Sequence, residues 1–421
     1  MSRQNPSDSC SDRTVLSLFT GAGGLDLGLE AAGFSISICV EVAEDARGTL
    51  KANRPHWRHA EPGDIHKIPP HEILAQAGLT RGEATLLSGG PPCQPFSKSA
   101  YWTGNSHGLN DPRASGMLTF LKVIDVGLPK VLLLENVRGL ASNEDGAGGL
   151  QLFENGLRSI NRKRGSAYQL QVFHLNAASY GVPQSRERIF FLAAIDGRTL
   201  NVPPVTHGEG DHLEPYLTAW DAIGDLDRVD CPPELVPVGK WAELLKSIPE
   251  GRNYLWHTRR GGGEPLFGWR TRYWSFLLKL AKHRPSWTIQ AEPGPATGPF
   301  HWRNRLLSVQ ELARLQTFPD GYQFVGNRQS VQRQIGNAVP CALGELLGRE
   351  IRRQFLGERD IGRQLNLIPR RQADCPQEHP LDPVPESYLN LRGDHADHPG
   401  KGRGPGKVWK GKANMDRGDQ T

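Results

Sequence analysis

Four short stretches of this 421-residue chain hold residue types able to do chemistry. In Gly89–Ser97, GGPPCQPFS, Cys93 is flanked by prolines and preceded by two glycines. Proline fixes φ and removes backbone donors, so such a loop is stiff and holds its cysteine in one position. A thiolate there is a nucleophile toward an electron-poor ring carbon. Free cysteine is mostly protonated at neutral pH, however, and needs help from its surroundings or its substrate. The second stretch, Leu132–Leu140 (LLLENVRGL), ends an apolar run on Glu135 without an ion-pair partner at local spacing. In the third, Val182–Ala193 (VPQSRERIFFLA), Gln184, Arg186 and Arg188 alternate and so share one face. Arginines there can fork onto a carbonyl, a phosphate or a carboxylate. The fourth, Phe19–Gly28 (FTGAGGLDLG), is a Gly-rich turn whose backbone N–H groups can approach a ligand closely. Taken singly, a surface carboxylate, a solvated edge strand and a tight structural turn account equally well for the last three.

The elements that must position these residues are short apolar strands alternating with helices. Val15–Phe19 is a compact β-like run, followed by the Gly-rich turn and a helix ending near Gly33. Ser35–Val40 is the next strand, closed by Glu41; Thr85–Leu87, Val131–Leu134 and Ile189–Ala194 are further buried-strand runs. This alternation predicts a parallel sheet covered on both faces. Ligand groups collect at the carboxyl edge of such a sheet, which places Glu41 for a ribose diol and Glu135 for another part of a ligand. The glycine spacing is not G-x-G-x-x-G, which argues against a nicotinamide-dinucleotide fingerprint and against a Rossmann oxidoreductase.

From about Val202 to Trp302 the pattern changes to Pro, Gly, Trp and Arg, as expected of a separate irregular or β-rich module. Within it, Tyr273–His283 (YWSFLLKLAKH) reads as a short helix. Between Lys240 and Arg305 lie twelve Lys or Arg against four acidic residues, and six of the ten tryptophans. That balance suits phosphate contacts and base stacking, although a charged surface over a Trp-containing core would look similar. Ser308 and Glu311 have the spacing of a capping box, and Val309, Leu312 and Leu315 then form one apolar face. Ala338–Phe355 reads as the last helix, with Pro340 in its first turn. After Gly357 the composition predicts a largely disordered tail, 357–421, with a basic patch from Lys401 to Lys412.

Composition narrows the function classes. Hydrophobic residues at 37% and charged residues at 23% describe an ordinary globular protein. No apolar run approaches the roughly 20 residues of a membrane helix, and the polar MSRQNPSDSCSDR start lacks a secretory h-region, so a cytoplasmic location is expected. A net charge of +5 permits an anionic partner. The six cysteines, at 10, 39, 93, 231, 341 and 375, show no zinc-ligand spacing and no disulfide framework, so no metal is expected.

Together the four motifs resemble the DNA cytosine-C5 methyltransferase family of prokaryotic type II restriction-modification systems. The resemblance extends to GDI (Gly63–Ile65), RLLSVQELARLQTFPDGYQFVG (Arg305–Gly326) and RQIGNAVP (Arg333–Pro340), in the family's order from about Val15 to Ile351. It implies an α/β fold of the S-adenosylmethionine-dependent methyltransferase type, Rossmann-like and doubly wound. The catalytic domain would be discontinuous, 14–201 and 305–356, with a target-recognition domain at 202–304 and Thr288–Trp302 as the return. S-adenosylmethionine contacts would fall to Phe19, Gly21, Gly23, Gly24, Leu25, Glu41, Val42, Asp64, Ile65, Asn337, Ala338 and Val339. Asn337–Val339 in this set implies a C-terminal helix folded back beside the first strand. Cys93 would add to cytosine C6, Glu135 would act at N3, and Arg186 and Arg188 would hold O2 and the flanking phosphate. Gln94 and Ser97 would contact double-stranded DNA around a flipped base, and a restriction endonuclease would be the functional counterpart. The RNA-modifying branch shares these motifs but usually carries a Cys-Phe-Thr signature before the Arg305 region, absent here. A catalytically dead paralogue is disfavoured by intact Cys93, Glu135, Gln184, Arg186 and Arg188.

Overall fold

The computed structural model describes residues 13–91, 115–136, 144–228, 230–269, 273–393 and 395–396. They fall into two compact units. The first comprises Met1–Arg228, Lys282–Glu292 and Leu307–Cys375; the second comprises Val229–Ala281, Pro293–Leu306 and Pro376–Thr421.

In the first unit, six strands form one sheet: β1 (Thr14–Leu18), β2 (Ser35–Val40), β3 (Leu86–Gly89), β4 (Val131–Asn136), β5 (Gln171–Asn176) and β7 (Glu187–Ala194), in the order β2-β1-β3-β4-β7-β5. A two-residue strand, β6 (Gln184–Ser185), pairs instead with β8 (Ser286–Trp287). The apolar runs read as strands are buried on both faces: all of β3 and the first four residues of β4 are inaccessible. Strands β2, β1, β3 and β4 are parallel as expected, but β7 runs antiparallel to both β4 and β5. Only Ala177–Arg186 links β5 to β7, and a parallel crossover needs roughly a dozen residues or more. The chain must therefore turn straight back. Strand β5 is not evident in the sequence because only Phe173 and Leu175 of QVFHLN are buried.

Helix α1 (Gly24–Ala31) follows β1, and the returning C-terminal helix, Cys341–Gln354, packs directly on it. The contact is backbone to backbone: a Cβ on Gly28 would lie 2.2 Å from the Cys341 carbonyl oxygen. The helix expected over Ala338–Phe355 is present as Cys341–Gln354, and a separate helix, Arg328–Asn337, precedes it. Val339 precedes Pro340 and is pushed to extended backbone, which opens a loop at Ala338–Val339. The capping box is present: the Ser308 hydroxyl accepts from the Glu311 N–H at 3.2 Å, and the Glu311 carboxylate accepts from the Ser308 N–H at 2.7 Å.

The tail expected to be largely disordered from 357 is instead packed on the rest of the chain over its described residues, 357–393 and 395–396. Buried Glu345 and Arg349 form an ion pair at 2.6 Å. Glu345 also accepts the N–H groups of Asn366 and Leu367, and Arg349 donates to the Gly362 and Gln364 carbonyls. Buried ionic groups need such partners, and this polar segment supplies them. The basic patch from Lys401 to Lys412 lies outside the described residues.

The second unit starts at Val229 rather than 202, because the helix Ala219–Ile223 and the β8 segment belong to the first unit. Its buried core is mostly aliphatic, with Leu244, Leu245, Ile248, Leu255, Leu266 and Leu277, and a group of aromatic rings packs with it. Trp241 meets Phe267, Phe276 and Tyr388 at ring-centroid distances of 5.4, 5.7 and 5.9 Å. Tyr388, from the supposed tail, stacks on Trp241 and donates its hydroxyl to the Lys240 carbonyl at 2.7 Å. Tyr273–His283 is not helical. The backbone N–H groups of Leu277, Lys279 and Leu280 donate to Ala296, Arg252 and Phe300 instead of to the preceding turn, and Leu277 has φ 52°. Tertiary pairing overrides the helical pattern there. Among the described residues no helix is long and apolar enough to cross a membrane.

Candidate active site

A cavity of about 750 Å³ opens at the carboxyl ends of β1, β2, β3 and β4 in the first unit. Its floor is the Phe19–Leu25 loop. Phe19 itself has φ 55°, a left-handed conformation that a bulky residue adopts at a cost of roughly 1 kcal/mol or more. Gly21 and Gly23 follow at φ 57° and 79°. Glu41, at the end of β2, holds this turn: one carboxylate oxygen accepts the Gly21 N–H at 2.7 Å and the other the Ala43 N–H at 2.8 Å. Gly24 brings the start of α1 against the C-terminal loop. A Cβ there would sit 2.3 Å from the Val339 carbonyl oxygen.

Across the cavity, Glu135 and Arg188 reach in from β4 and β7. The antiparallel register sets Glu135 opposite Phe190 and Asn136 opposite Ile189. Arg188 Nε lies 2.7 Å from Glu135 Oε1, with both side chains about six-sevenths buried. The distance makes an ion pair, although the Nε–H does not point squarely at that oxygen. The partner that local spacing denied Glu135 thus comes from more than fifty residues along the chain. Gly90 lies under Glu135, where a Cβ would be 3.0 Å from Oε2, and the Asn136 amide donates to the Pro91 carbonyl at 3.4 Å. The glycine-proline loop therefore leaves β3 beside the carboxylate. Cys93, Gln94 and Ser97, farther along that loop, lie outside the described residues.

Arg186 departs from its expected role as a group facing the substrate. It is fully buried and donates to the Ile289, Gly336 and Ala338 carbonyls at 3.2, 2.7 and 3.0 Å. Burial first, and Arg188 next, weaken its hold on a proton, while Glu135 opposes them. Buried Gln184 accepts from the Ile289 N–H and donates to Gln316, which in turn donates to the Ile335 carbonyl at 2.7 Å. Gln184 and Arg186 thus brace the Asn337–Val339 wall, and only Arg188 of the three alternating residues faces the cavity.

Of the other residues singled out in the sequence, Phe19, Gly21, Gly24, Leu25, Glu41, Val42, Asn337, Ala338 and Val339 line the cavity together. Gly23 faces away, toward Leu50 and Trp57. Asp64 lies in an adjoining depression of about 520 Å³ that shares Val42 and Glu44 and contains Arg47, Lys51 and Lys67. The His66 backbone N–H, foremost, holds its carboxyl below the usual range. Ile65 is in the core beneath. Sequence reasoning passed over Asp26, Ser330, Arg333 and Gln334, which also line the cavity. Asp26 lies inside the Gly-rich motif, but nothing in the local spacing sets it apart.

Residues 13–353 match the family of C-5 cytosine-specific DNA methylases. The type II methyltransferase M.SacI of Streptomyces achromogenes is 40% identical over 371 residues, covering 81% of this chain and 93% of that protein. The type II methyltransferase M.PspPI of Psychrobacter is 34% identical over 361 residues, covering 81% and 79%. The fold is similar to a prophage-encoded DNA modification methyltransferase from E. coli, with TM-score 0.56 at 23% identity over 82% of this chain and 99% of that one. A Spodoptera frugiperda DNMT2 variant gives TM-score 0.56 at 18% identity over 80% and 99%. With a family match across most of its length and a mostly parallel sheet carrying the expected cleft, the chain belongs to the C-5 cytosine-specific DNA methylases, enzymes that methylate cytosine C5 in DNA.

Proposed function

We propose that the first unit's cleft holds S-adenosylmethionine and that Cys93 and Glu135 together activate a cytosine of double-stranded DNA. The observation that carries this reading is the meeting of two constellations in one cavity: the Phe19–Leu25 loop held by Glu41, and the Glu135–Arg188 pair beside Gly90 and Pro91. The cavity suits the cofactor. Each Glu41 oxygen takes one backbone N–H and keeps lone pairs for a ribose diol, and Gly21 presents bare backbone to the space above.

Cytosine C5 is too poor a nucleophile to accept a methyl group unaided. Attack of the Cys93 thiolate on C6 forms a carbon–sulfur bond and moves electron density to C5, while Glu135, having taken up a proton from solvent as the base binds, donates a hydrogen bond or proton at N3. Arg188 orients the Glu135 carboxyl through their ion pair, leaving guanidinium N–H groups for the base O2. When bound, S-adenosylmethionine supplies the electrophilic methyl group. Loss of the C5 proton to a base and cleavage of the C6–sulfur bond then restore the aromatic ring. A stacked cytosine cannot present C6, so the base must leave the helix, at a cost of a few kcal/mol. Gln94 and Ser97, which follow Cys93, would contact the DNA there.

The second unit would read the target sequence. In it, exposed Arg259 and Arg260 precede three glycines laid tightly over Trp256, and the Arg260 guanidinium sits 4.9 Å from the Trp269 ring centroid. A guanidinium braced in this way is suited to the guanine edge in the major groove. Action on a bacterial chromosome would place the protein in the cytoplasm, protecting DNA from a cognate endonuclease. The test is expression in a host without cytosine methylation, followed by bisulfite sequencing. Methylation at one defined site is expected; folded protein with no 5-methylcytosine in the DNA would overturn the proposal.

A further inference from the structure

Five carboxylates line the cleft: Asp26, Glu41, Glu44, Asp45 and Glu135. Glu41 is engaged by backbone N–H groups and Glu135 by Arg188, while Glu44 and Asp45 lie in the first turn of a helix whose start is accessible to solvent. Asp26 differs from all of them. It is 1% exposed, it forms no ion pair among the described residues, and its Oδ1 has no hydrogen-bond partner there. A buried carboxyl oxygen left unmatched at the wall of a ligand cleft is costly unless the ligand completes it.

We propose that Asp26 receives the α-ammonium group of the cofactor's amino-acid end. This rests on the reading of the cleft as an S-adenosylmethionine site. With Glu41 at the ribose end, the amino-acid end carries the one ammonium able to satisfy a buried acid. The surroundings of Asp26 explain why it keeps its proton up to near-neutral pH. Burial pushes its carboxyl up to about 7, the Ser17 hydroxyl and its own backbone N–H pull the other way, and Glu30 on the same helix adds to the rise. Cys39 on β2, and Tyr322 and Cys341 from the returning segment, also face it, and burial pushes all three further toward the neutral form. The nearby cation, Arg54, is held by Glu30 at 2.6 Å. An arriving ammonium would therefore meet a protonated carboxyl below neutral pH and would have to displace its proton.

The experiment is calorimetric titration of the full chain with S-adenosylhomocysteine, which has no sulfonium charge, and with its deaminated analogue, in which hydrogen replaces the amino group. At pH 8 the wild type should prefer S-adenosylhomocysteine by about tenfold to a hundredfold, the range for a hydrogen bond to a charged group. Asp26→Asn should bind both ligands as weakly as the wild type binds the analogue. As pH falls below about 7, wild-type affinity for S-adenosylhomocysteine should drop, by up to tenfold per pH unit, while affinity for the analogue stays level. Proton release, read in two buffers of different ionisation heat at pH 6.5, needs no variant and covers the case in which Asp26→Asn fails to fold. A preference retained in Asp26→Asn, or wild-type binding with no pH dependence and no proton released, would overturn the assignment. Wild type that binds neither ligand would overturn the cofactor reading itself.

Discussion

The two units of this chain reach order by different means. In the first, polar groups at the edge of a parallel sheet are placed by elements a few residues away: Glu41 by β2, Glu135 by β4, the Gly-rich turn by β1. In the second, there is little regular structure, and the frame is a cluster of buried leucines with aromatic rings brought together from Trp241, Tyr254, Phe267, Phe276 and Tyr388. Chemistry requires groups held within fractions of an ångström, which short spans of sheet and turn provide. A surface that reads a sequence needs only a stable frame from which exposed side chains can vary. The contrast implies that each unit can be damaged with little loss of the other's property.

The sharpest test of that separation is Cys93→Ser, expected to remove methylation by a factor on the order of 10⁴ or more while S-adenosylhomocysteine binding and DNA site recognition persist. Glu135→Gln should lower the methylation rate by about 10² to 10⁴, the range of a general acid or base, with substrate DNA affinity kept. A comparable loss of DNA affinity would mean that the two properties are not separable. In the second unit, Trp241→Ala should cost about 3 kcal/mol of local stability. Sequence-specific DNA binding, followed by fluorescence anisotropy, should then fail while S-adenosylhomocysteine binding is unchanged; parallel loss of both would break the comparison. Arg260→Ala should weaken binding to the methylated site by about 1–3 kcal/mol and relax specificity at one base pair, whereas a uniform loss across sequences would reassign it to phosphate. Smallest is Ser308→Ala, which removes a cap worth about 1 kcal/mol and should lower the melting temperature by a few degrees without changing methylation.

Much of the catalytic unit was legible because its signals are local. Strand runs, the Gly-rich turn and the Ser308–Glu311 cap each depend on residues within a few positions of one another, and they reappear at or near the expected bounds; the loop around Cys93 lies outside the described residues. The second unit and the last segment were not legible in the same way. Tyr273–His283 has a helical pattern, yet its backbone pairs with Arg252, Ala296 and Phe300. The residues after Gly357 look like a solvated tail, yet they satisfy Glu345 and Arg349 and place Tyr388 on Trp241.

By itself the sequence determined that a mostly parallel sheet would form with a Gly-rich turn and two acidic groups, Glu41 and Glu135, at its carboxyl edge. Only the tertiary structure decided which charged groups face that ligand. Arg186 and Arg188 are two residues apart, with the same side chain and the same alternation. One is buried against three backbone carbonyls and the other pairs with Glu135. Asp26 lies in the first turn of α1, and its burial, which no local spacing signals, comes from the rest of the chain packed around it. The reason is physical: spacing fixes which way a side chain leaves its own element, but desolvation and ion pairing depend on what the rest of the chain brings to meet it.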